Sequence, residues 1–127
     1  MQRRTIQTDQ APAAIGPYVQ GVVASGLLFT SMQIGLDPQT KELTGTTAPA
    51  QARQCLQNIG AIVAAGGSSL ADTVKVTVYL VDIAAFGAVN EVYAEFFGET
   101  LPARSVVTVT ALPLDALVAV EAVAVVT

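Results

Sequence analysis

The sequence predicts an α+β fold: a β-sheet of about six strands with two helices packed on one face, in a single domain over residues 1–127. Three observations carry that expectation. Several runs are rich in β-branched residues and alternate in polarity, two others repeat their apolar residues at helical spacing between capping residues, and the order is strands, helix, strand, helix, strands. With 52% of its residues apolar, the chain has enough material to build a real core.

A short first strand fits Thr5 to Thr8. Tyr18 to Ser31 divides at Ser25-Gly26 into two β-prone stretches, Val19 to Val23 and Leu27 to Ser31, which read as a hairpin. Asp37-Pro38-Gln39-Thr40-Lys41 is a turn-rich excursion. From about Thr47, the residues Ala48, Ala52, Cys55, Leu56, Ile59, Ile62 and Val63 share one helical face, with Pro49 in the first turn and Gly66-Gly67 as the stop. Thr73 to Leu80 alternates as a strand. Asp82 stands where an N-cap belongs, Val81 and Phe86 are placed as a hydrophobic staple, and Phe86, Val89, Tyr93, Phe96 and Phe97 trace a second helical face up to Gly98. Arg104 to Thr110 and Leu117 to Val126 close the chain as strands, joined by a loop around Pro113 and Asp115.

The last strand is apolar on both sides. Leu117, Ala119, Val123 and Val125 point one way, and Val118, Val120, Ala122, Ala124 and Val126 the other. Two helices cover only one face, so the second is expected to be buried against other copies of the chain, because an open apolar sheet would be a large adhesive patch. A curled sheet or a covering loop is the competing explanation.

Charge and composition exclude several functions. Six basic and ten acidic residues give a net charge of −4, and apart from Arg3-Arg4 the basic residues are scattered, so no footprint for a nucleic-acid backbone is expected. Histidine is absent and Cys55 is the only cysteine, which removes disulfide frameworks, Cys/His zinc sites and imidazole-based triads. No apolar run reaches the ~20 residues that span a bilayer, and polar residues after Arg3-Arg4 do not make a signal-peptide core, so a cytoplasmic protein without a membrane partner is expected. Neither a dinucleotide glycine fingerprint nor a phosphate-binding loop is present, and no cofactor is expected.

The chemistry must therefore run on carboxylates, Arg, Tyr, hydroxyls and backbone amides. Glu121 interrupts the apolar run Leu117 to Val126 and needs a partner or a function, since an isolated buried charge is strongly disfavoured. Arg104, in Pro102-Ala103-Arg104-Ser105, is the nearest plausible match, with a planar fork suited to a carboxylate. Together they make a coherent hydrolytic site: a guanidinium to hold an anion and a half-desolvated acid to handle water. The bland alternatives are a solvated Arg and a structurally paired carboxylate. Tyr18 could cap a pocket or simply pack, Ser31 ends a strand, Asn90 could face inward from the second helix or be satisfied by backbone, and Cys55 is most simply a small core residue.

Ala11 to Gly21, Thr30-Ser31-Met32-Gln33-Ile34, Gln51 to Ile59, Val89-Asn90 and Pro102-Ala103-Arg104-Ser105 with Glu121 together resemble the RidA (YjgF) family of reactive-intermediate deaminases over essentially the whole chain. The resemblance implies a chorismate-mutase-like mixed sheet assembled as a homotrimer with clefts between subunits. It also implies hydrolysis of small imino and enamino acids, such as 2-aminoacrylate and 2-iminopropanoate, to 2-keto acids and ammonia without a cofactor. On matching positions, Arg104 would clamp the substrate carboxylate, Glu121 would position or activate water, Tyr18, Ser31 and Asn90 would line the cleft, and the backbone near Val106 would add a contact. Two residues depart from the family pattern. Met32 replaces a common Gly and adds a flexible thioether beside the cleft, and Val106 replaces a frequent Cys. The rival readings are a non-catalytic sensor of keto or amino acids in the same cleft and an RNA-directed nuclease, which the acidic balance opposes.

Overall fold

Seven strands and two helices follow one another as β1 (Arg3–Ile6), β2 (Gly21–Ala24), β3 (Leu27–Thr30), β4 (Gln33–Ile34), α1 (Ala48–Ala65), β5 (Thr73–Leu80), α2 (Phe86–Phe97), β6 (Ala103–Thr108) and β7 (Val118–Val125). This is a computed structural model, and it describes residues 2–127. The strands form one mixed sheet in the order β1-β2-β3-β7-β5-β6, with β4 also pairing β7. Among the described residues only β5 and β6 run parallel; the other pairs are antiparallel.

The expected hairpin forms, and its turn residues Ser25 (φ 53) and Gly26 (φ 76) both take the left-handed backbone that a tight two-residue connection requires. Thr47 caps α1 by accepting a hydrogen bond from the Ala50 amide at 3.3 Å. At the other end Gly67 turns at φ 86 and the Ser68 amide returns to the Val63 carbonyl at 2.9 Å, closing the helix. All seven apolar positions expected on this helix are buried.

Three expectations are corrected. The first strand runs Arg3–Ile6, not Thr5–Thr8, because its register is set by β2, where Ile6 meets Gly21 and turns into the core. Asp82 does accept from the Ala84 amide at 2.9 Å, but it caps a 3₁₀ turn over Ile83–Ala85, and α2 begins only at Phe86. The seventh strand, β4, had no visible period: it spans two residues, too few for alternation to register.

The core lies on one face of the sheet. Val76, Val78 and Leu80 from β5, together with Val118, Val120, Ala122 and Ala124 from β7, meet Leu56, Ile59, Ile62 and Val63 of α1 and Val89, Val92, Tyr93 and Phe97 of α2. The other face carries Thr77, Tyr79, Glu121 and Val123, and leaves Phe29, Val107 and Val125 exposed in the single chain.

Candidate active site

Arg104 lies on β6, at the edge of the sheet, where its backbone partner is the buried Val76. Paired residues share a face, so the Arg104 side chain turns toward the helix layer. There α2 receives it. Nη1 donates to Asn90 Oδ1 at 2.6 Å, and the guanidinium carbon lies 4.7 Å from the Tyr93 ring centre and 5.5 Å from that of Phe86. Residues 86, 90 and 93 are spaced by four and three, which puts them on one side of the helix. The cradle restrains a flexible cation through one hydrogen bond and two aromatic faces, each face contributing about 0.5–1 kcal/mol at an exposed site. It does not neutralise the charge: among the described residues the one ion pair joins Arg53 and Glu95, at 2.7 Å. Val106, two residues on, faces the same way and packs half-buried against the core.

Glu121 is on β7 opposite Thr77, and it projects from the face that the helices leave open. The Tyr79 hydroxyl donates to its Oε1 at 2.8 Å. That hydrogen bond, with lesser help from desolvation and the carboxylate charge, pushes the Tyr79 phenol above its ordinary value. A hollow of about 200 Å³ lies beside the carboxylate, walled by Phe29, Thr30, Lys75 and Thr77. Lys75 is turned to Ser105, to whose Oγ it donates at 2.8 Å.

Arg104 and Glu121 therefore do not meet within one chain. Their partners on β5, Val76 and Thr77, are consecutive and point to opposite faces. The expectation that Arg104 matches Glu121 is corrected to this extent: inside the chain Glu121 is half-buried and is satisfied by Tyr79.

Tyr18, Ser31 and Met32 gather at a separate place. Ser31 lies just past β3 and donates from Oγ to the Val19 carbonyl, while the neighbouring Tyr18 is half exposed and accepts at its hydroxyl from the Ile15 amide at 3.3 Å. Met32 is 37% exposed, so its thioether is available to a neighbour. The segment is fastened by the buried side chain of Gln20, which accepts from the Thr8 amide at 2.7 Å and donates to the Pro12 carbonyl at 2.8 Å. A hollow of about 860 Å³ lies under it, reaching from Thr5 to Tyr18 and Pro38. Thr30, next to Ser31, also walls the Glu121 hollow and accepts from the Ala122 amide at 3.0 Å, which ties this end of the sheet to β7.

The expected site residues thus fall into three places within one chain: Arg104, Asn90 and Val106 on the helix side of the sheet, Glu121 on its open face, and Tyr18, Ser31 and Met32 around the end of β3. Sequence reasoning missed Tyr79 and the platform role of Tyr93. Strand alternation does place Tyr79 on the same face as Thr77, the residue opposite Glu121, so a signal existed. Tyr93 was read only as an apolar helix position; its ring underlies Arg104, and its hydroxyl is buried without a hydrogen-bond partner among the described residues. Burial pushes that phenol up, with the nearby Arg104 charge opposing. Cys55 is the core residue expected, fully buried with its thiol pushed up to about 12 by burial. No cluster of three or more His, Cys, Asp or Glu side chains is placed to hold a metal ion, and no helix is long and apolar enough to cross a membrane, among the described residues.

Comparison with known proteins supplies the remaining context. A family model described as Endoribonuclease L-PSP matches residues 8–126. A 2-iminobutanoate/2-iminopropanoate deaminase of Escherichia coli (strain K12) is 50% identical over 125 residues, covering 96% of this chain and 97% of the relative. A RutC family protein of Pyrococcus horikoshii is 49% identical over 122 residues, covering 96% and 97%. The crystal structure of Escherichia coli TdcF with bound serine superposes with a TM-score of 0.93 at 46% identity, over 98% of this chain and 99% of that one.

Proposed function

The chain belongs to the RidA (YjgF) family covered by the L-PSP model, and from that premise we propose that it hydrolyses small reactive 2-imino and 2-enamino acids to 2-keto acids and ammonia. The observation that carries this reading is Arg104: a cation held in a fixed orientation by Asn90, Tyr93 and Phe86 and left without a carboxylate partner among the described residues. Such a group is an anion receptor, because its remaining donors are aimed but unsatisfied.

Because one chain carries Arg104 and Glu121 on opposite faces, the working cleft lies between copies, in a homotrimer, with Arg104 from one protomer and Glu121 from its neighbour. Exposed Phe29, Val107 and Val125 on the open face support burial against another copy. In that cleft Arg104 pairs with the substrate carboxylate and fixes C2 of the imine. Glu121 holds a water on C2 and accepts its proton as the C–O bond forms. The proton passes to nitrogen to give the carbinolamine; Glu121 then takes the hydroxyl proton and delivers it to the amino group as C=O forms and the C–N bond breaks, so that ammonia leaves a 2-keto acid. Since an imine carbon is already electrophilic, orientation supplies most of the rate and no strong base is required. Tyr18, Ser31, Met32 and the backbone at Val106 bound the side-chain end of the substrate. The reaction is placed in the cytoplasm and uses no cofactor.

The serine-bound TdcF relative favours a second reading, in which the cleft binds an amino or keto acid without turnover. The nuclease named by the family model is disfavoured by a net charge of −4 and by the absence of histidine. The test is to generate the imine in place with an amino-acid oxidase or a serine/threonine dehydratase and follow its disappearance. Acceleration by the parent and its loss in Arg104→Ala support hydrolysis. Tight 2-keto acid binding by calorimetry with no acceleration supports the sensor.

A further inference from the structure

Resting on the reading of Glu121 as the water-holding acid, we propose that Tyr79 is a positioning residue that clamps Glu121 Oε1 and reserves Oε2 for the water. The two residues are diagonal neighbours: Tyr79 is opposite Ala119 and Glu121 opposite Thr77, so each lies one step along the open face from the other's partner. Long side chains bridge that diagonal, and the hydroxyl reaches Oε1 at 2.8 Å.

The bond matters because of what glutamate lacks. Its side chain has several free rotations, and ordering it costs conformational entropy. A single charge-assisted hydrogen bond of the kind seen here offsets most of that cost. A phenol has one proton to give, so it fixes one oxygen and leaves the second without a partner among the described residues. Lys75, the cation on the same strand, is occupied by Ser105 and does not compete for the carboxylate. The raised phenol of Tyr79, whose largest cause is the hydrogen bond to Glu121, agrees with a hydroxyl held as donor to that carboxylate.

Tyr79→Phe removes the hydroxyl and keeps the ring. With imine generated in place, its kcat is expected to fall about tenfold while KM stays within about twofold, since the clamp acts on the water and not on substrate binding. A second readout is independent of activity. Phenolate absorbance, taken as the difference between the parent and Tyr79→Phe, isolates Tyr79 from Tyr18 and Tyr93. It is expected to ionise above the ordinary tyrosine range, and lower in Glu121→Gln. Parental kcat in Tyr79→Phe beside an inactive Glu121→Gln overturns this inference and leaves the proposed hydrolysis standing, as does ordinary ionisation of Tyr79 in the parent. Full activity in Glu121→Gln sinks this inference together with the assignment of Glu121 as the water-holding acid, and no acceleration by the parent sinks the proposed hydrolysis.

Discussion

Arg104 and Glu121 stand on opposite faces of one sheet, on the two strands that flank β5, because Val76 and Thr77 beneath them are consecutive residues. A hydrolytic site that needs both groups needs two copies of the chain.

Subunit complementation follows from that geometry. Arg104→Ala and Glu121→Gln are each expected to retain about 1% of parental activity or less. Unfolded together in equal amounts and refolded, they are expected to recover roughly a quarter of it, because random pairing gives that share of clefts a native Arg from one chain and a native Glu from the next. Turnover of the mixture, compared with each variant alone, checks this. No recovery would mean that the groups do not share a cleft.

Asn90 Oδ1 accepts from Arg104 at 2.6 Å, which on the proposed reading makes Asn90 a positioning residue for the cation. Asn90→Ala is expected to raise KM about tenfold with kcat little changed, the loss of about one charge-assisted hydrogen bond. In Asn90→Asp a carboxylate replaces the amide beside the guanidinium, competes with the substrate anion and raises KM further. Steady-state kinetics on the two variants separate positioning from direct contact, because a group bonded to the reacting atoms would lower kcat.

Tyr93→Phe deletes the buried hydroxyl that has no partner among the described residues and retains the ring under Arg104. It is expected to leave activity unchanged and to raise stability by up to about 1 kcal/mol. Urea denaturation gives the comparison; a loss of more than that amount would show that the hydroxyl is bonded in the assembled protein.

Cys55 ties stability to alkaline pH. Its thiol ionises near 9.0 when unfolded and is pushed up to about 12 in the fold by burial. Between those values the unfolded chain binds fewer protons than the folded one, so this contribution is complete below about pH 9 and is lost as pH rises toward 12, with a slope approaching about 1.4 kcal/mol per pH unit. The difference in urea midpoint between the parent and Cys55→Ala is expected to narrow from about pH 8 to about pH 10.5. A constant difference would contradict the buried thiolate penalty.

The sequence carried the elements whose physics is local. Thr47 and Gly67 bracket α1, Ser25-Gly26 form the hairpin turn, and Thr73 to Leu80 alternates as β5 does. What escaped depends on partners distant in the chain. β4 exists only because β7 offers it two positions, and Asp82 caps a 3₁₀ turn before α2 begins. The candidate site was legible as a set of residue types and not as an arrangement. Glu121 announced itself as a charge in an apolar strand, but its immediate companion Tyr79 lies 42 residues earlier and is brought alongside by strand register. Gln20, Gln51 and Asn58, within the segments that carry the family resemblance, prove to be buried amides that fasten loops: Gln51 accepts from the Leu117 amide at 2.9 Å and Asn58 donates to the Leu36 carbonyl at 2.9 Å.

The strand made last, β7, is the one that joins the two halves of the sheet, β1-β2-β3 on one side and β5-β6 on the other. Without β7 the antiparallel strands β1-β2-β3 and the parallel β5-α2-β6 unit share no strand pairing, and joining them through β3 and β7 closes a long loop of chain. The strand that completes the core is thus also the one that delivers Glu121 to its station.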